Sequence, residues 1–365
     1  MENNTTSGVN NSSTTNSSTT NSSTTNSSTT NSDEQQSQQS DPHTRFIILI
    51  ICWIFIIVGV IGNSLVIGVV KLIRSMHTTT NYLLLNVASA DITTLLSIAI
   101  QLITSMHLSR FSSFLCKFVS NGNVSIVTLI VSSYTFTLLA IERYYALVKP
   151  MTASRRLRND NVAYVILGIW LVAVGLVTPL FVVVDANSHG GCDLGASDNK
   201  MLIYVYCLFT ISIIIPFIII ATCYLRVIYG MHFKKTICSN QSERVDTRQE
   251  ITEKHRLVKV LILLTAVFFT AFIPYSFLLI MDFSNIYSSD VINLQYSAQF
   301  LTLLNCSVNP FIYAFQSSNY RRGYALVFKK LFCRDKSVNV IELRQVCTNS
   351  SLRIAVVGIS KQNGS

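Results

Sequence analysis

Long uncharged stretches alternate with short polar ones along this chain. Seven apolar stretches stand out, at about 46–70, 82–106, 117–145, 162–184, 201–229, 256–281 and 291–315. A helix rises about 1.5 Å per residue, so roughly 20 residues cross the ~30 Å hydrocarbon core of a bilayer. Lipid offers the backbone no hydrogen-bond partners, so only helices or closed barrels span it. A barrel would show segments of about 10 residues with alternating polarity, and the sequence has none. The pattern predicts an all-α membrane protein: a seven-transmembrane helix bundle over residues 46–318.

The flanks differ in kind. Residues 11–30 repeat Asn-Ser-Ser-Thr-Thr and offer nothing apolar to bury, so residues 1–45 are expected to be disordered. This tail carries Asn-x-Ser/Thr sequons at Asn3, Asn4, Asn10, Asn11, Asn16, Asn21 and Asn26, which are glycan acceptors if the tail is extracellular. No apolar signal region precedes the first span, which is expected to serve as its own insertion signal. After the last span, Tyr320, Tyr324, Val327, Phe328 and Leu331 recur at helical spacing among Arg321, Arg322, Lys329 and Lys330. That spacing predicts a short amphipathic cytoplasmic helix over 319–333, lying on the inner leaflet. Cys333 at its end is either a free thiol or a palmitate anchor. Residues 334–365 form a polar tail with Thr348, Ser350 and Ser351 as candidate phosphorylation sites.

Charge sets the orientation. Hydrophobic residues make up 50% of the chain and charged residues 13%, against about 25% charged in soluble domains. With the N-terminus outside, the inward segments hold Lys71, Arg74, Lys149, Arg155, Arg156, Arg158, Lys234, Lys235, Arg244, Arg248 and Lys254, and the C-terminal tail adds more. The outward segments hold only Arg45, Arg110 and Lys200. Positive charge stays inside, so the N-terminus is expected outside, at the plasma membrane. The net charge of +10 is then a basic inner face beside anionic lipid, and nucleic-acid binding is not needed to explain it. The outward acids Glu2, Asp33, Glu34, Asp41, Asp185, Asp193, Asp198, Asp282 and Asp290 either keep that surface soluble or attract cations. By the same topology only Cys116 and Cys192 face the oxidising side, which predicts a disulfide between them.

Several spans carry groups that lipid does not tolerate. Asp91 sits within "LLLNVASADITTLL" and needs an interior partner. Asn63, Ser132, Asn305 and Asn309 lie at matching depth. Asp91, Ser132, Asn305 and Asn309 together offer oxygen ligands suited to a sodium ion; the alternative is a protonated Asp91 hydrogen-bonded to the two asparagines. No other cofactor is indicated. Span three is rich in Ser, Thr and Asn, which suits a central helix packed closely on its neighbours. Pro179, Pro216, Pro274 and Pro310 fall inside spans and each predicts a kink. Beside Pro274 and Pro310 the flanking aromatics suggest hinges between two arrangements.

These elements together resemble the rhodopsin-like G-protein-coupled receptors. The resemblance covers residues ~46 to ~333 and rests on Gly62-Asn63, "NVASAD" ending in Asp91, Cys116, Glu142-Arg143-Tyr144, Trp170, Cys192, Pro216 with Tyr224, Phe268 with Pro274, and Asn309-Pro310 with Tyr313, all in the family's order. It implies that Arg143 waits at the inner end of span three and is held by Glu142 at rest. It further implies that span six swings about its proline and that an α-subunit helix of a heterotrimeric G protein enters a cavity lined by Arg143, Tyr224 and Tyr313. Arrestin and receptor kinase follow as partners. This sequence departs from the family where Cys-Trp-x-Pro reads Ala271-Phe272-Ile273-Pro274, so Phe272 takes the place of the bulky rotamer-changing residue. Lys254 stands where some members carry an acid, against a second lock on Arg143. The stretch from Cys116 to Arg143 is also slightly long, which predicts a bulge at Asn121-Gly122-Asn123.

The ligand class follows by exclusion. The position where amine receptors keep an aspartate holds Ser125, and span seven has no lysine for a retinal Schiff base. A peptide or a lipid remains. Gln101, Ser125, Tyr275, Gln295, Tyr296 and Gln299, with Asp282 at the rim, offer amide and aromatic groups that suit a peptide. The core resembles the galanin- and allatostatin-type neuropeptide receptors, and the acidic outer face favours a peptide with a basic residue or a free amine. A receptor for a lipid or other small molecule is the alternative. A transporter would show internal repeats and several mid-membrane charges. A non-signalling decoy would not need intact Glu-Arg-Tyr and Asn-Pro-x-x-Tyr elements. No nucleophile–base pair or metal cluster is present, which argues against an enzyme.

Overall fold

The computed structural model describes residues 42–107, 113–120, 122–149, 157–186, 192–194, 199–238, 245–284 and 289–332. The chain divides into two units, Met1–Leu49 and Ile50–Ser365. In the first, the described residues from Pro42 onward are helical. Helix α1 is Pro42–Leu72, α2 Thr79–His107, α3 Asn123–Leu147 and α4 Val162–Val183. Helix α5 has two segments, Asn199–Phe209 and Ile215–Cys238, joined by a π-helical turn at Thr210–Ile214. Helices α6 (Val245–Phe283), α7 (Ser289–Gln316) and α8 (Ser318–Phe332) complete the order. Between α4 and α5 a hairpin pairs β1 (Val184–Ala186) antiparallel with β2 (Cys192–Leu194), Ala186 opposite Cys192.

Among the described residues, α1 to α6 each contain a stretch long and apolar enough to cross a membrane. Helix α7 fills the seventh position with an inward face of buried Asn305, Ser307 and Asn309. The fold is a seven-helix bundle, with α8 where the amphipathic helix was expected. Helix α3 packs against α2, α4, α5 and α6. Its apolar window is 72% buried against 17% for α4, which makes α3 the central rod. Small polar side chains allow this by bonding across helices. Asn86 Nδ2 donates to Thr135 Oγ1 at 2.8 Å, and the Thr94 and Thr128 hydroxyls meet at 2.7 Å. Helix α4 instead exposes Tyr164, Leu167, Leu171 and Val182 on the outer surface of the bundle.

The prolines do not end their helices: α4, α6 and α7 run through Pro179, Pro274 and Pro310. A proline leaves the carbonyl four residues earlier without its donor. Two such carbonyls, one freed by Pro310 and one by Pro216 of α5, are met from a neighbouring helix. Asn63 Nδ2 in α1 donates to Cys306 O at 2.8 Å, which replaces the bond lost at Pro310. Ser133 Oγ in α3 donates to Ser212 O at 2.8 Å, which replaces the bond lost at Pro216 beside the π turn. Asn63, expected beside Asp91, is thus spent on backbone carbonyls, those of Gly59 and Cys306.

The irregularity ahead of α3 begins earlier than the expected Asn121-Gly122-Asn123, and Asn121 lies outside the described residues. A π-helical segment, Cys116–Ser120, precedes Gly122, whose φ of 68° is left-handed. A π turn takes up an additional residue, so the longer spacing is absorbed before Asn123. Asn123 Nδ2 bridges back to Lys117 O at 3.0 Å. Cys116 is buried and disulfide-bonded. The side chain of Cys192 lies outside the described residues, as do Asn3, Asn4, Asn10, Asn11, Asn16, Asn21, Asn26 and Cys333.

Candidate functional site

Three clusters follow one another along the bundle axis. At the hairpin end, Gln299 Nε2 in α7 donates to Gln101 Oε1 in α2 at 3.1 Å. A Cβ built on Gly122 would stand 2.8 Å from the Tyr275 hydroxyl of α6 and 3.8 Å from Gln101 Nε2. Four helices therefore converge there, and Ser125 is buried one turn further along α3. Gln101, Tyr275 and Gln299 come together as expected. The side chains of Asp282, Gln295 and Tyr296 lie outside the described residues.

Midway, Asn309 Nδ2 donates to Asp91 Oδ2 at 2.7 Å and joins α7 to α2. The Cys306 side chain lies close to Asp91, a neighbour that the sequence reading missed. Asp91, Ser132, Asn305 and Asn309 are all buried. Asn63 Oδ1, Asn305 Oδ1 and Asn309 Oδ1 are buried without hydrogen-bond partners among the described residues. Beside this cluster lies an aromatic column. Phe268 packs against Phe136 of α3 and against Phe272 one turn on, both at 5.2 Å between ring centroids. Phe272 thus packs beside Phe268 on α6, two residues before Pro274, and Phe136 is the partner that apolar periodicity alone does not single out.

At the opposite end, Arg143 and Glu142 line a cavity of about 610 Å³ together with Thr80, Asn81, Leu257 and Asn319. The Arg143 guanidinium donates to the Thr80 hydroxyl at the start of α2. Glu142 is buried, and its Oε2 accepts the Leu157 backbone N–H at 3.3 Å. Tyr144 is half-buried, with the Lys149 ammonium 5.9 Å from its ring centroid. Neither Tyr224 nor Tyr313 is among the described residues lining this cavity. The Tyr224 hydroxyl meets Thr265 Oγ1 at 3.4 Å. Tyr313 is fully buried and stacks on Tyr320 of α8 at 5.2 Å. Tyr320 donates to Asn81 Oδ1 at 3.3 Å, and Asn81 Nδ2 to Met76 O at 2.9 Å. Burial pushes the Tyr320 hydroxyl well above the ordinary phenol range, so it remains a donor. Matching the depth of Thr80 on α2 to that of Arg143 on α3 would have found the Thr80 contact from sequence. The Tyr320–Asn81 link depends on where α8 docks, which periodicity does not give.

The bundle thus carries an arginine-lined cavity at one end and a cluster of amide and phenol groups at the other. The family described as 7 transmembrane receptor (rhodopsin family) matches residues 62–313, and the chain belongs to that family. It is similar to somatostatin receptor type 1 of Rattus norvegicus, 26% identical over 317 residues, which cover 84% of this chain and 76% of that receptor. It is also similar to galanin receptor type 1 of Homo sapiens, 27% identical over 299 residues, 78% of this chain and 82% of the relative. Galanin receptor 2b of Danio rerio is 28% identical over 306 residues, 80% of this chain and 77% of the relative.

Proposed function

We propose that this protein is a peptide receptor of the plasma membrane that activates a heterotrimeric G protein. Its N-terminus is outside, and the hairpin end of the bundle receives the ligand. The observation that carries this reading is the 610 Å³ cavity, with the Arg143 guanidinium in its wall and α2, α3, α6 and α8 around it. A charge at a membrane boundary avoids the roughly 2.5–3.5 kcal/mol that insertion at the bilayer centre costs. It is held there by Thr80 at one moment and is available to a partner at another. The somatostatin and galanin receptors among its relatives support a peptide ligand. A peptide with a basic residue or free amine suits the acidic outer segments, with Asp282 at the rim. Tyr224 and Tyr313 leave Thr265 and Tyr320 when α6 moves outward about Pro274, and they then join Arg143.

Other assignments belong to the same reading. Cys192 is the partner of Cys116, and the sequons of the N-terminal tail carry glycans. Cys333 carries a palmitate beside α8, which lies on membrane lipid, and the tail beyond it serves receptor kinase and arrestin. Asp91, Ser132, Asn305 and Asn309 hold a sodium ion, because one buried carboxylate and unpartnered amide oxygens match one hard cation in charge and ligand type. The ion would neutralise Asp91 and tie α2, α3 and α7 together.

The decisive experiment is Arg143→Ala in the full-length chain. Binding at the cell surface should be retained while agonist-driven nucleotide exchange is lost. Normal exchange in that variant would remove Arg143 from the proposed role.

A further inference from the structure

We infer that the inner end of the bundle binds the phosphomonoester headgroup of an anionic lipid, between Arg256 of α6 and Arg321 of α8. Both guanidinium groups donate to one atom. Arg321 Nη1 reaches Phe315 O of α7 at 3.1 Å, and Arg256 Nη2 reaches the same oxygen at 3.4 Å. Arg321 Nη1 also donates to Ala314 O at 3.1 Å. The last carbonyls of a helix lack donors, and its C-terminal dipole attracts a cation. One arginine meets that need, and Arg321 alone serves both carbonyls. The second guanidinium therefore adds a like charge beside the first. Among the described residues neither group meets a carboxylate, and both side chains are exposed.

Two adjacent guanidinium groups call for an anion that reaches both. A phosphomonoester carries about −1.5 to −2 charges and three acceptor oxygens, and it accepts forked bonds from arginine. A carboxylate brings a single charge and leaves half of the pair unbalanced. The apolar part of the ligand has a seat as well. Phe311 and Phe315, one turn apart on α7, are 48% and 77% exposed, and they offer an acyl chain an apolar face next to the charged pair. In the orientation proposed above, this end meets the cytoplasmic leaflet, where basic groups between spans hold anionic headgroups. A headgroup held by both arginines ties α6 to α8 and so opposes the outward movement of α6.

The test measures the melting temperature of the full-length protein in neutral detergent. No G protein is present, so the outcome does not depend on signalling. Dioctanoyl phosphatidic acid should raise the melting temperature saturably. Dioctanoylglycerol lacks the phosphate, and dioctanoylphosphatidylcholine has a diester beside an ammonium, so neither should. No shift with phosphatidic acid, or equal shifts with all three, overturns the site. Inorganic phosphate supplies the anion without the chains, and a shift equal to that of phosphatidic acid at the same concentration overturns the lipid assignment. Arg256→Gln and Arg321→Gln keep an amide donor for Phe315 O but lose the charge. Each should weaken the apparent affinity for phosphatidic acid about tenfold. Arg322→Gln, next in sequence and without a bond to Phe315 O, should leave it unchanged. Equal losses in all three variants would mark general attraction to the basic face and overturn the assignment, as would undiminished affinity in the first two. In vesicles containing phosphatidic acid, basal nucleotide exchange should be severalfold higher for Arg256→Gln than for the wild type. Equal basal exchange, with the loss of lipid affinity confirmed, would overturn the restraint on α6.

Discussion

Gly122 has a φ of 68° and no room for a side chain, since a Cβ there would meet the Tyr275 hydroxyl at 2.8 Å. Left-handed backbone costs an L-residue roughly 1–2 kcal/mol, and the hydroxyl belongs to α6, the helix expected to move. Gly122→Ala should therefore lower the melting temperature of the detergent-solubilised protein. It should also raise basal nucleotide exchange, by up to about tenfold if some 1.4 kcal/mol falls on the resting arrangement. An unchanged melting temperature with unchanged basal exchange would show that neither the strain nor the contact matters. The need for this glycine was half legible. The long spacing from Cys116 to Arg143 called for a bulge, and Gly122 was its natural site. Its neighbour Tyr275 stands far off in sequence, and no periodicity brings the two together.

At the scale of elements, the junction of α2, α3 and α7 turns on Asp91. Its 2.7 Å bond to Asn309 joins two helices, and nearby amide oxygens have no donors among the described residues. If a sodium ion balances the carboxylate, agonist affinity should fall when sodium chloride replaces choline chloride in wild-type membranes. Asp91→Asn should abolish that dependence. A salt response unaltered in Asp91→Asn would favour the protonated carboxyl. The pairing of Asp91 with Asn309 was legible because a lone intramembrane carboxylate needs a partner at its own depth. Cys306 was not, because a thiol in an apolar run reads as packing. The prolines show the same limit. Their positions predict lost bonds, but the donors that replace them, Ser133 and Asn63, come from other helices.

For the whole molecule, topology follows from charge. An epitope tag ahead of the Asn-Ser-Ser-Thr-Thr repeats should stain unpermeabilised cells, and glycosidase should shift the gel mobility of the protein. Staining that requires permeabilisation would reverse every assignment of inside and outside. By itself the sequence determined seven spans, a central polar third helix and an arginine at that helix's end, and it predicts their sidedness. Transfer of apolar residues and charges between water and lipid is a local property, which each segment carries alone. Only the tertiary structure decided which polar groups meet: Arg143 with Thr80, Tyr320 with Asn81, and Tyr275 with Gly122. Such contacts depend on the rotation and depth of each rod against its neighbours. Those are set by packing and hydrogen bonds between residues far apart in the chain.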